Sequence, residues 1–272
     1  MRVTFSNLAF SVLFVFPLMA GSGTAAETLR MGGTGSATGM LRQVGAEFTV
    51  ATGVKIDVVP NLGSTGAIRA LADGFLDIAV SARPLTADEL AAGLSQIAVL
   101  RTAYVLATSH RGANSLKTAD LPTIFTAQQA TWADGATIRI ILRPRSENDT
   151  ALLAGLSTGM DQAIETVRRR PEVPTAATDQ DNADLAERVP DSLTGTTLTQ
   201  LTTERRNLHA VALDGVEPTL ANFESGAYPF AKKLYFIVVP DSAPGAQRLF
   251  DFLRSAEGEK ALRLTGTLPG AE

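Results

Sequence analysis

The feature that most narrows the choice of fold is a unit that recurs along the chain. A short apolar strand runs into a turn of Gly, Ser and Thr, and a helix follows. It occurs at Gly33–Gly39 after TLRM, at Gly63–Gly66 after VKIDVVP, and around Arg143–Thr150 after TIRIILR. Strands alternating with helices build α/β folds with mixed, mainly parallel sheets flanked by helices. Other segments keep the rhythm. Met40, Leu41, Val44 and Phe48 stand at helical spacing, and Gly53 ends that helix. LDIAVS reads as a buried strand, and TADELAAG opens with a capping box from Thr86 to Glu89. IAVL and AYVLATS read as two strands, and DLPTIFTAQQ as a helix after its proline. SENDTALLAGL begins another helix, and Met160 to Arg206 reads as mostly helical and polar. ALDG and KLYFIVVP bracket a helix around Glu217–Glu224, and AQRLFDFL and EGEKALRL are two C-terminal helices. No Pro/Ser/Gly-rich linker divides the chain, so two lobes would be joined by ordered strands, as in a hinged clamp.

Composition removes most chemistries. The chain has 272 residues and no cysteine, which excludes disulfides, thiolate metal sites and a thiol nucleophile. Its two histidines, His110 and His209, are too few for a His-built metal centre, and read as a loop histidine and a packed one. Trp132 reads as a core or lobe-surface residue. Lys plus Arg is 24 against 28 Asp plus Glu, a formal charge of −4 with no basic block, so nucleic acid is not an expected partner. Any anion must be held by local geometry.

Residues 1–26 read as a secretory signal peptide. Arg2 precedes the apolar run Leu8 to Ala20, and GSGTAA supplies small residues for cleavage before Glu27. The run is shorter than the ~20 residues that span a bilayer, and Pro17 interrupts it. The absence of Cys excludes a lipid-anchored form. The expected product is a soluble periplasmic monomer.

The turns carry the chemistry. A first helical turn offers unpaired N–H groups and the positive end of the helix dipole. Glycine lets backbone approach a ligand, hydroxyls add donors, and Arg143 adds a planar fork. Several such termini converging on a point would hold a tetrahedral oxyanion. Each turn alone is most often an ordinary capped helix start, and Arg143 is equally a plain surface residue or a salt-bridge partner. GTGSATG has the spacing G-x-G-x-x-x-G and lacks the acidic residue of a dinucleotide fingerprint. There is no G-x-x-x-x-G-K-[ST] and no G-x-S-x-G. Ser36 or Ser64 as a nucleophile would lack a base. No catalytic residue, metal ligand or cofactor is expected.

Taken in order, GTGSATGML, TGVKIDVVPNLGSTGAIRALADGFLDIAVSARPLTADEL, LPTIFTAQQATWADG, RPRSENDT, ALDGVEPTLANFESGAYPFAKKLYFIVV and FLRSAEGEKALRLTGTLP resemble the phosphate-binding family of ABC-transporter periplasmic solute-binding proteins. The resemblance runs from about Thr28 to Pro269. It implies the two-lobed type II periplasmic-binding-protein fold with a hinged cleft, lobe I from 27–106 with 228–272 and lobe II from 107–227. It implies a binding protein, not an enzyme, that hands an inorganic oxyanion, phosphate first, to an inner-membrane ABC permease. Carried over residue by residue, the site would use Ser36 and the Ala37 N–H, then Ser64 with the Thr65 and Gly66 N–H groups, then Arg143, Thr150 and the Asn148–Asp149 backbone. Thr34, Gly35, Ser81 and Arg83 are secondary candidates. Family members often place an Asp in the loop matching Ser81-Ala82-Arg83, where it accepts the proton of hydrogen phosphate. Here Ala82 stands there, and the third loop reads N-D-T in place of S-G-T, with one extra residue. Asp149 is the expected substitute acceptor, the alternative being that it simply caps its helix. The segment before the return crossover is also changed, to PDSLTGTT. The alternatives are another oxyanion (sulfate, molybdate, tungstate) or a small organic acid, and a periplasmic sensor or partner-binding protein with an altered pocket.

Overall fold

The computed structural model describes Met1 and residues 27–112, 115–240 and 244–270. The signal peptide read at 1–26 lies, Met1 apart, outside the described residues. The first unit is β1 (Thr28–Gly33), a short 3-10 turn (Gly35–Ala37), α1 (Thr38–Thr52) and β2 (Lys55–Val59). Met40, Leu41, Val44 and Phe48 are buried, as their spacing predicts, and Gly53 closes α1 at φ 76° with its N–H on the Thr49 carbonyl. Next come α2 (Gly63–Ala72), β3 (Ile78–Ser81) and α3 (Ala87–Ala91), the last capped by the Thr86–Glu89 box.

One strand, β4 (Ser95–Thr108), then covers both segments that the sequence divides into two. Its alternation is lost because the second half is buried on both faces, and such a strand reads as a continuous apolar run. Beyond it lie β5 (Ser115–Leu116), α4 (Leu121–Thr126), β6 (Arg139–Ile140), α5 (Asn148–Ala154), α6 (Met160–Val167) and α7 (Asp179–Arg188). The next element corrects the helical reading of 160–206: SLTGTT is a fully buried strand, β7 (Ser192–Thr197). It is followed by α8 (Leu198–Glu204), β8 (His209–Ala210), β9 (Ala212–Leu213), α9 (Leu220–Glu224), β10 (Ala231–Val238), α10 (Pro244–Leu253), α11 (Ala256–Leu264) and β11 (Thr267–Pro269).

The main sheet has the order β2-β1-β3-β10-β4-β7-β6, with β11 and β8 also on β4. Pairs at its two ends are parallel, β1 with β2 and β3, and β6 with β7; those centred on β10 and β4 are antiparallel. The architecture is thus the expected mixed α/β one. Apolar side chains gather in two principal cores. One joins Leu29–Leu100 with Leu234–Leu262, built around Met31, Phe48, Phe236 and Phe250. The other draws on Ala103–Tyr228 plus Leu268, built around Phe125, Met160, Ile164 and Phe223. Each such fully buried side chain contributes roughly 1.5–3 kcal/mol. Trp132 lies in the second core and stacks on His110, ring centroids 5.2 Å apart. His110 is buried with Nδ1 on Asp191 at 2.7 Å, whereas His209 is exposed. His110 thus lies in the loop after β4 as the sequence suggests, but packed, and His209, read as the packed one, is exposed on β8. No helix among the described residues is long and apolar enough to cross a membrane.

Candidate functional site

The first and third turns meet through a residue that neither contains. Asp179 is the first residue of α7, and its carboxylate enters the 3-10 turn ahead of α1. The Ser36 N–H donates to Asp179 Oδ2 at 3.0 Å, and the Thr34 hydroxyl donates to the same oxygen at 3.2 Å. The other oxygen, Oδ1, lies 3.8 Å from Arg143 Nη2 and 3.8 Å from Lys232 Nζ. The α7 start fits because residue 35 is glycine: a Cβ there would come within 2.4 Å of Gln180 Oε1 and 2.9 Å of Asp179 Cβ. Gln180 donates to the Gly35 carbonyl at 3.0 Å. The α7 capping box is made by Thr178 and Asp181, so the Asp179 carboxylate is not spent on its own helix.

Arg143 is 5% exposed. Its Nη1 donates to the Ala176 carbonyl at 2.6 Å, but among the described residues Nε has no partner, and Nη2 has only Glu147 at 3.7 Å and Asp179 at 3.8 Å. Lys232, fully buried on β10, donates to both oxygens of Asp149, at 3.0 and 2.8 Å. Asp149 therefore stands in the cluster with each oxygen engaged. Tyr104 donates its hydroxyl to the Asp149 carbonyl, and Gly195 makes room, since a Cβ there would meet that hydroxyl at 1.8 Å.

Burial alone would raise the Asp179 carboxyl, but Lys232, Arg143, the Ser36 N–H and the Thr34 hydroxyl outweigh it, and it stays below its ordinary value. Burial alone would lower Lys232, and Asp149 and Asp179 reverse that, so it stays charged. Glu147, at the rim, is raised chiefly by burial. Tyr104 is pushed well above its ordinary value, by burial first and by Asp149 second, and so remains a donor. Two buried cations thus face two buried carboxylates.

The remaining candidates are placed as follows. The Ala37 N–H donates to the Thr34 carbonyl at 3.1 Å. Thr150 donates to the Arg143 and Pro144 carbonyls, 3.2 and 2.9 Å away, bracing its own loop. Asn148 is half-buried at the start of α5. Ser64 accepts from the Ala82 N–H at 2.9 Å, Thr65 is exposed, and Gly66 follows on α2. Among the described residues, no hydrogen bond or ion pair joins these three to the Asp179 cluster. Ser81 donates to the Arg83 carbonyl at 2.7 Å. Arg83 grips Glu89 with two bonds of 2.8 and 2.7 Å. Cavities of about 650 Å³ against β4, β10 and the C-terminal helices and about 340 Å³ beside β6 lie away from these residues.

The Arg83 pair carries a pH signature. Its hydrogen bonds, with those of Thr86, hold the Glu89 carboxyl down at about 2. A folded pKa below the ordinary carboxylate value gives stability that is complete above that value and lost as pH falls toward about 2. Glu89→Gln is expected to lower stability by less than about 1 kcal/mol at neutral pH, with the gap to wild type closing below about pH 4.5. Urea midpoints across that range measure it.

Sequence reasoning missed Asp179, Lys232, Glu147 and Tyr104. One signal was available for Lys232: it shares strand parity with Leu234, Phe236 and Val238, which puts an ammonium on the inward face.

No curated protein matches the chain. A family model described as a PBP superfamily domain matches residues 19–257. Among solved structures, a phosphate-bound protein of Clostridium perfringens, named as a suspected phosphate ABC transporter substrate-binding protein, is 16% identical with a TM-score of 0.72, over 90% of this chain and 100% of that one. An ABC-type phosphate transport receptor from Vibrio cholerae is 15% identical with a TM-score of 0.58, over 89% and 99%. Reduced OxyR from N. meningitidis is 11% identical with a TM-score of 0.60, over 90% and 99%. At such identities the structures speak for the fold alone, a type II periplasmic-binding-protein fold. The family model covers most of the sequence, and the sheet order and paired cores described above accompany it, so the chain belongs to the PBP superfamily.

Proposed function

We propose that the chain is an exported solute-binding protein of an ABC transporter that captures an inorganic oxyanion, phosphate first, and passes it to a membrane permease. In this reading residues 1–26 are removed on export, and the mature protein is a periplasmic monomer without covalent chemistry. Lobe I is 27–106 with 228–272, and lobe II is 107–227. The observation that carries the proposal is the Arg143 guanidinium. It is buried, among the described residues its Nε has no partner and its Nη2 reaches carboxylates only at 3.7 and 3.8 Å, and the Ser36 N–H and Thr34 hydroxyl converge on one of these, Asp179. Unmet donors on a buried cation are costly unless an anion uses them. A micromolar site needs only about 8 kcal/mol, and hydrogen bonds to charged groups contribute ~1.5–3 kcal/mol each. The likeness to a phosphate-bound protein and to a phosphate transport receptor supports phosphate as the first ligand to test.

A second reading, a sensor or partner-binding protein, is favoured by the seating of Asp179 on the Ser36 N–H. A thermal-shift panel of phosphate, sulfate and molybdate on anion-stripped protein separates the two. A true ligand at a hundredfold excess over its Kd stabilises by ~2.7 kcal/mol. Phosphate is expected to raise Tm most, and no response to any tetrahedral anion at millimolar concentration would remove the oxyanion reading.

A further inference from the structure

We propose that Asp179 is the resident anion of this site, a carboxylate from α7 that fills the anion seat and sets which ligands can enter; this rests on the oxyanion reading above. Its Oδ2 takes the Ser36 N–H and the Thr34 hydroxyl, and its Oδ1 faces Arg143 and Lys232. These are the donors an incoming oxyanion would use. Ser36 and Asp179 are 143 residues apart and the bond between them is buried, so it ties α7 to the start of α1. Lys232 is already matched by Asp149, which leaves Asp179 as the buried carboxylate opposite the under-satisfied Arg143, beside the half-buried Glu147 at 3.7 Å.

Charge dictates the consequence. The two cations are balanced by two buried carboxylates, with Glu147 a further, half-buried carboxylate 3.7 Å from Arg143, so adding a dianion with Asp179 in place would leave a large uncompensated negative charge. The ligand must displace Asp179, moving α7 off the 3-10 turn. A monoanion gains nothing by this exchange, because it replaces one carboxylate charge by another and must beat an intramolecular competitor of high effective concentration. A dianion gains an additional charge against Arg143 and Lys232. Asp179 therefore acts as a specificity-determining residue that screens out monovalent carboxylates and admits multivalent oxyanions.

The test compares wild type, Asp179→Ala and Asp179→Asn by titration with phosphate and with acetate, the small mimic of the missing side chain. Phosphate is expected to bind Asp179→Ala about tenfold or more tightly than wild type. Acetate is expected to bind and stabilise Asp179→Ala at millimolar concentration and leave wild type unmoved, so the preference for phosphate over acetate falls. Asp179→Asn keeps the side-chain shape without its charge and shows the same direction more weakly; it carries the comparison if Asp179→Ala does not fold. Equal or weaker phosphate binding by both variants overturns the proposal and leaves the oxyanion reading standing. Acetate binding to Asp179→Ala without phosphate binding to any form supports the resident-anion role and removes phosphate as ligand. Failure of every variant to bind either anion overturns both.

Discussion

Lys232→Met is expected to lower the stability of the fold by about 3–5 kcal/mol, the cost of removing one partner from a buried ion pair. Methionine follows the lysine stem closely and leaves no large cavity, so the loss is electrostatic. Lys232 is fully buried and is the direct partner of both Asp149 oxygens, with Asp179 Oδ1 at 3.8 Å. Without it, two buried carboxylates face each other across a seat held by Arg143 alone. Urea denaturation at neutral pH measures the change. The double variant Lys232→Met/Asp149→Leu is expected to recover part of the loss, because replacing both members of a buried pair by apolar groups is often near neutral. A Lys232→Met midpoint within experimental error of wild type would show that the cluster is not energetically coupled.

The second large effect falls on binding. Arg143→Ala is expected to weaken phosphate by about 2–5 kcal/mol, at least about thirtyfold in Kd. Arg143 is fixed by its 2.6 Å bond to the Ala176 carbonyl, so the fork is aimed before any ligand arrives. Arg143→Lys should recover little, since an ammonium cannot reproduce the planar fork. Calorimetry on the three proteins decides it, and equal affinities would take Arg143 out of the site.

What the sequence made legible was local. The Thr86–Glu89 box and the Gly53 stop of α1 depend on neighbours within a few residues, and each stands where its pattern places it. β7 was illegible because SLTGTT has no apolar alternation. Its burial is met by hydroxyl bonds, Thr194 to the Ile141 carbonyl and Asn182, and Thr196 to Gln200. In the site, Arg143 could be found from its strand-to-helix turn. Asp179 could not: it looks like any acidic residue in a first helical turn, which the dipole favours, and its partners at 34, 36, 143 and 232 are remote in sequence.

The composition of the first core has a consequence for how the chain is made. That core needs Leu29–Leu100 and also Leu234–Leu262, and β10 is the strand that joins β3 to β4. Domains usually condense in the order in which they leave the ribosome, N-terminal first. Here the earliest residues must wait, because Leu234, Phe236, Leu249 and Phe250 do not yet exist when β1, β2 and β3 emerge. The middle of the chain, whose core is nearly self-contained from Ala103 to Tyr228, can collect itself sooner. The two flanks can complete their shared core only when synthesis is almost complete, because its last strand and helices come from Leu234–Leu262.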